Sequence, residues 1–247
     1  AATTVIAIAD ATNFTWSGTG GFITAMSVTR TFSFGSTAGG AAYNAPNLSL
    51  ISGASIPTIT TGSWFNILDF TGTTSTPTST TVNVDTLTLA TGGTYTGLIP
   101  VFTRTQTWTP QFSKQLAGIG VNGTGETLTL ENTQTYYGAS TLIVDAGTLN
   151  LNGYGFIFYN FSSTGTGSRS ITGGGSITYY TNWSVIDGTG FTGSNYTIYA
   201  YGASFDGGGG SYGTLVCKGT STFIVTGSNT FVDIQYQPSS YEPVGQI

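Results

Sequence analysis

Asp187 in "VIDGTG" and Asp206 in "FDGGGG" stand 19 residues apart in a chain of 247. Two carboxylates are the minimum equipment for cleaving a glycosidic bond, and in a retaining enzyme they face each other across roughly 5–5.5 Å. If the backbone wound through one coil in about that many residues, the two would stack on one wall. The competing explanation is simpler. Each Asp is followed by glycine, the setting in which its short side chain accepts hydrogen bonds from turn amides. Asp145 in "VDAGT" and Asp69 in "LDFTG" have the same character. The turn reading carries more weight, so no residue is assigned a catalytic role and the expectation is a protein that is not an enzyme, with Asp187 and Asp206 held as the alternative.

The other chemistries fail on composition. The chain has no histidine, which removes the usual general base, the common Ser and Cys triads and the commonest metal ligand. Cys217 is the one cysteine, so neither a zinc cluster nor an intrachain disulfide is expected. "TGGGS" and "DGGGGS" lack the Lys-Ser or Lys-Thr of a phosphate loop and read as corners or turns. No Asp-rich calcium loop occurs, and no cofactor or metal is expected. The five basic residues, Arg30, Arg104, Lys114, Arg169 and Lys218, are scattered singly against a net charge of -5, which argues against nucleic acid as a partner. There is no run of about 18 apolar residues to span a membrane and no basic, then apolar, leader. The expectation is a soluble chain.

Aromatic residues are the remaining candidates. Tyr136, Tyr137, Tyr154 and Tyr159 precede a denser group, Tyr179, Tyr180, Trp183, Tyr196, Tyr199 and Tyr201, and these six are the expected binding residues. In "NYTIYAYG" strict alternation puts Tyr199 and Tyr201 on one face and Ile198 and Ala200 on the other. Tyr and Trp offer amphipathic contact area at low entropic cost, suited to sugar rings or to a partner protein. The alternative for all six is packing in a core or between subunits.

The elements that must position these residues are strands. Short alternating runs such as "TVNVDTLTLA", "TLIVDAG", "SITYYTNW" and "TFIVTG" recur between clusters of Gly, Asn and Asp, and only "FSKQLAGIG" has room for a helical turn. The expected fold is all-β, a β-solenoid of β-helix-like repeats, with tandem β-sandwich domains as the alternative. The two halves resemble each other: Arg30 matches Arg169, Trp64 matches Trp183, Asp69 matches Asp187, and Tyr95 matches Tyr212. On this basis residues 1–25 form an N-terminal strand or assembly segment, 26–125 and 126–236 two β-repeat units, and 237–247 a tail. Only 6% of residues are charged, and stacked coils give a reason. Like side chains lie about 4.8 Å apart in a solenoid wall, where Asn and Thr ladders satisfy one another and like charges repel. In "TLNLNGYGFIFYNFSS", residues 148–163, Leu149, Leu151, Ile157 and Phe161 share one parity and should face the core, leaving Tyr154, Phe156 and Phe158 on a face covered by something else. Six Asn-X-Ser/Thr sequons, at Asn13, Asn47, Asn122, Asn160, Asn182 and Asn195, would matter only in a glycosylating cell.

"TLIVDAGTLNLNGYGF", then "FSSTGTGSRSITGGGSITYYTNW", then "GGGGSYGTLVCKGTSTFIVTGSNTFVDIQ" resembles the Gly-, Thr- and Asn-rich β-repeat structural proteins of tailed bacteriophages. The likeness runs from about Glu126 to Tyr236 and is weaker from Met26 to Thr109. It implies a virion structural protein at the virion surface or outside the cell, part of a fibre, spike or other appendage. The partners it implies are other copies of the chain, as in a homotrimer, other virion proteins and a host-surface glycan. A glycan-degrading tailspike using the Asp pair is the second expectation. The third is a secreted filament or surface-layer subunit of β-sandwiches, in which "TTVIAIAD" is donated as a strand to a neighbour.

Overall fold

The computed structural model describes residues 5–8, 21–24, 31–34, 45–50, 58–72, 80–90, 93–108, 116–135, 140–202, 204–219 and 223–237. Arg30, Tyr136, Tyr137 and residues 238–247 lie outside these, as does the expected boundary between residues 25 and 26.

All described regular structure is strand, and every strand pairing is parallel. Residues 141–143 lie in register with 160–162, residues 160–163 with 182–185, and the ladder continues through Ser204–Asp206 and Ile224–Thr226, forming one wall. Residues 147–150, Arg169–Thr172 and Phe191–Thr192 form a second wall. Residues 155–158, 176–179, Thr197–Ala200, 214–217 and 233–236 form a third. The chain visits the walls in that order once per coil, so the fold is a β-solenoid of stacked coils. "VDAGT" is therefore a corner inside the continuous strand Thr141–Asn150, whose two halves pair with different strands. "TGGGS" is another corner, with Gly173, Gly174 and Gly175 all at positive φ.

Stacking like on like builds the core. Phe65, Val84, Phe102, Val121 and Val144 make one in-register column, every member fully buried. Leu142, Phe161, Trp183 and Phe205 make another. Full burial of side chains of this size contributes roughly 1.5–3 kcal/mol each, and the column geometry lets every coil supply one. Residues 125 and 126, at the expected boundary, lie within the strand Gly118–Leu130, which pairs with Leu98–Phe102 and Gln106–Trp108 on one side and with Thr141–Asn150 on the other, with register shifts between Val121 and Thr127. The same strand takes up the end of "FSKQLAGIG", where a helical turn had room to form.

The face assignment in residues 148–163 is corrected. Leu149 and Leu151 do point inward, but Asn152 at φ 52° and Gly153 at φ 81° turn the chain, so the stretch is two strands rather than one. After the turn the parity inverts: Phe156 and Phe158 are buried, and Ile157 is half-buried. A register shift between Phe158 and Asn160 then returns Phe161 to the core. The strand-donation expectation also falls, because Val5–Ile8 pairs with Thr31–Phe34 of its own chain.

Candidate functional site

The register shift after Phe158 has a consequence at the corner between the third and first walls. It sets two consecutive residues, Tyr159 and Asn160, outside the core, and the next coil places Tyr180 and Asn182 beside them. Tyr159 and Tyr180 have ring centroids 5.4 Å apart, and Tyr180 and Tyr201 are stacked at 5.1 Å with 25° between ring planes. Beside them Asn182 Nδ2 donates to Asn160 Oδ1 at 3.3 Å. Below Tyr201 the column runs on through Lys218, whose backbone N–H donates to the Ala200 carbonyl and whose Nζ donates to Gln237 Oε1 at 2.9 Å. Lys218 Nζ also lies 5.6 Å from the ring centroid of Tyr199, which faces out from the third wall.

This column collects three of the six expected binding residues, Tyr180, Tyr199 and Tyr201, and adds Tyr159. All four rings are half-buried. Tyr180 and Tyr201 stack on each other's faces, and Tyr159 packs against Tyr180 at a tilt of 38°, both arrangements within the offset range aromatic pairs prefer. What they offer outward is therefore a row of ring edges and phenol groups, flanked by carboxamides. Such a row repeats once per coil.

The other three, Tyr179, Trp183 and Tyr196, are corrected to core residues. Each falls on the inward parity of its strand, or at the corner leading into one. Trp183 lies between Phe161, at 3.9 Å, and Phe205, at 4.9 Å. Tyr179 Oη donates to the Ser204 carbonyl at 2.8 Å. Burial pushes the Tyr179 and Tyr196 phenols well above the usual range, so neither ionises in the folded protein at ordinary pH.

The carboxylates line a different corner, between the first and second walls, and act there as turn caps and coil-to-coil ties. Asp187 Oδ1 accepts from Thr189 N at 3.0 Å and Thr189 Oγ1 at 2.7 Å, and these bonds hold its carboxyl below the usual range. Asp206 Oδ1 accepts from Gly208 N. In register Asp206 lies under Ser184, not under Asp187, so the pair is not stacked as one coil spacing suggested. Asp145 Oδ1 accepts from Thr164 N at 2.6 Å in the next coil. Glu126 Oε2 accepts from Thr105 Oγ1 and Thr105 N in the previous one, which lowers its pKa. Asp85, almost wholly buried, holds Arg104 at 2.8 Å. No group of three or more metal-ligating side chains occurs among the described residues.

Arg169 is the residue that sequence reasoning placed only as a repeat marker. It is 2% exposed, at the start of the second wall. Nε donates to Ser163 Oγ at 2.6 Å, Nη1 to the Gly167 carbonyl at 2.8 Å, and Nη2 to the Asp187 carbonyl. Its guanidinium lies 5.8 Å from the centroid of the Phe191 ring. The planar fork of Arg suits this task, since several fixed donors gather carbonyls from adjacent coils around one corner. The signal for it in the sequence was "SRSI", a lone cation among hydroxyls.

Comparison with protein-family models, with curated proteins and with solved structures finds no match to this chain. What the geometry offers is thus a rigid parallel ladder with one outward row of tyrosine and asparagine, and a corner where carboxylates are engaged with backbone amides.

Proposed function

We propose that this chain is a non-enzymatic structural protein of a virion surface, part of a fibre, spike or other appendage of a tailed bacteriophage, that works by assembly and by holding a host-surface glycan or a neighbouring virion protein. The observation that carries the reading is the Tyr159, Tyr180 and Tyr201 column with its Asn160 and Asn182 neighbours. A row that presents a phenol in each of three successive coils and a carboxamide in two of them matches a hydroxyl-rich polymer laid along the solenoid axis. Each contact is weak, and their fixed spacing makes them add by raising the effective concentration of the next. The resemblance of residues 126–236 to phage β-repeat proteins supports the virion setting. The sparsely charged walls support assembly, because stacked or apposed faces of Thr, Ser and Asn pair where charges would repel.

Electron microscopy with a gold-labelled antibody against the purified chain tests the setting. Label on the tail or capsid surface of phage particles is the expected result. Label restricted to cellular filaments or to the cell envelope overturns it.

A further inference from the structure

We infer that the last described coil, Ile224–Thr226 with Thr230–Tyr236, is a docking edge for a second copy of this chain, stacked head to tail so that the ladder continues from one copy into the next. The inference deepens the assembly part of the proposed function and does not depend on glycan binding.

Among the described residues, seven large apolar side chains are exposed, and five of them sit on this one coil: Ile224, Val225, Val232, Ile234 and Tyr236. Three of the five end columns that are buried in each of the four coils above. Val225 lies in register with Phe205, Ile234 with Leu215, and Tyr236 with Cys217. Leu215 is 0% exposed and Ile234 is 55% exposed, though both occupy the same place in the repeat. The difference is one covering coil. Ile224 and Val232 are apolar as well, so the rim of the end gains from being covered along with its centre.

The edge is also built to pair. Among the described residues these two strands pair with a neighbouring strand on one side only, so their other edge is open to a further strand. Solvent-facing edges are normally blunted by Lys, Pro or a bulge. Neither strand contains Lys, Arg or Pro, and the one charge, Asp233, turns its carboxylate to Ile234 N and Gln235 Nε2.

The occupant must supply apolar strands of the same polarity, because every ladder in this fold is parallel. A second copy translated along the axis does so. At the opposite end Val5–Ile8 pairs only with Thr31–Phe34, and Gly21–Thr24 only with Asn47–Leu50, among the described residues. Their sequences, "VIAI" and "GFIT", carry no charge. Tail-to-tail contact would reverse strand polarity at the seam, whereas head-to-tail contact is heterologous and propagates as a rod.

Sedimentation velocity and electron microscopy of the full chain over a concentration series test this. Wild type is expected to form rods whose length rises in steps past two units. Val225→Lys with Ile234→Lys should weaken association by at least about tenfold, and Ile186→Lys, on an exposed side chain away from the end, should leave it unchanged. Hydrogen exchange on the wild type is independent of whether the variants fold: amides of residues 230–236 should exchange fast in dilute monomer and slow on association. A wild type that stays monomeric, rods that stop at two units, or slow exchange of 230–236 in the dilute monomer, which would mean the chain past Gln237 covers the edge, each overturn the inference. Self-association without label on virions would leave it standing while the proposed setting fails, and label without self-association would do the reverse.

Discussion

Trp183 lies flat on Phe161, with ring centroids 3.9 Å apart and 12° between planes, although 22 residues separate them in sequence. Phe205 closes the other face of the indole, and Tyr212 meets its edge. The aromatic column is therefore a spine running through successive coils. Trp183→Ala is expected to cost about 3–5 kcal/mol, the range for a large aromatic removed from a packed core. Trp183→Phe should cost clearly less. Denaturant titration of both variants measures the difference, and near-equal losses would mean that stacking does not hold this spine.

Arg169 gathers Ser163 Oγ and the carbonyls of Gly167 and Asp187 around one corner. Arg169→Met keeps the apolar stem but leaves two carbonyls without their donor, each worth about 1–3 kcal/mol when orphaned. A loss of at least about 2 kcal/mol is expected, and Arg169→Lys should recover little of it, because one ammonium cannot span three acceptors in the guanidinium plane. Thermal melts of the two variants against wild type decide the point.

The acid corner sets a pH dependence whose sign follows from its hydrogen bonds. The hydroxyl and amide of Thr105 lower the Glu126 pKa, and the amide and hydroxyl of Thr189 lower that of Asp187. Groups with depressed folded values add stability above the ordinary carboxylate range of about 4 and lose it as pH falls through the folded value. The denaturation midpoint should therefore drop below about pH 4, and the drop should shrink in Glu126→Gln with Asp187→Asn. At the alkaline end burial raises the Tyr95, Tyr179, Tyr196 and Tyr212 phenols. Their contribution is complete below the ordinary phenol value of about 10 and is lost above it. Phenolate absorbance should then appear in two stages, the second coincident with loss of β-sheet circular dichroism.

Glycine has opposite value at two positions. A Cβ at Gly213 would run into the carbonyl of Tyr196 in the coil above, whereas at Gly167 nothing lies within 4 Å and φ is not positive. Gly213→Ala is expected to destabilise by about 1–3 kcal/mol through overpacking against backbone. Gly167→Ala should be neutral or stabilise by about 0.4–1 kcal/mol by restricting the unfolded chain. Melting temperatures of the pair check it.

Composition and alternation were enough to read the fold class, because period-2 runs with so little charge leave few stable arrangements other than stacked β layers. Two of the repeat matches also hold in local structure. Asp69 and Asp187 each accept from the backbone N–H two residues on, and the Tyr95 and Tyr212 hydroxyls each bond to backbone five residues back. Face assignment was legible only within a strand. Alternation says which residues share a face, but a corner such as Asn152–Gly153 uses a number of residues that the pattern does not disclose, and so it inverted Phe156 and Phe158. The same limit mixed core with surface among the tyrosines. Tyr179 and Tyr180 are neighbours in sequence and face opposite ways, and the bulge that sets Asn160 outside the core beside Tyr159 leaves no mark in "FIFYNFSS". Arg169 was illegible as a corner clamp because two of its three acceptors are backbone carbonyls, which no sequence shows.

Retention of the purified chain on immobilised host-surface polysaccharide, wild type against Tyr159→Ser with Tyr180→Ser and Tyr201→Ser, tests the central claim most directly. The expected result is retention by wild type, a loss of about tenfold or more in the triple variant, an unchanged β-sheet spectrum, and no oligosaccharide released by either. Equal retention of both proteins, or release of oligosaccharide by wild type that disappears in Asp187→Asn with Asp206→Asn, would contradict it.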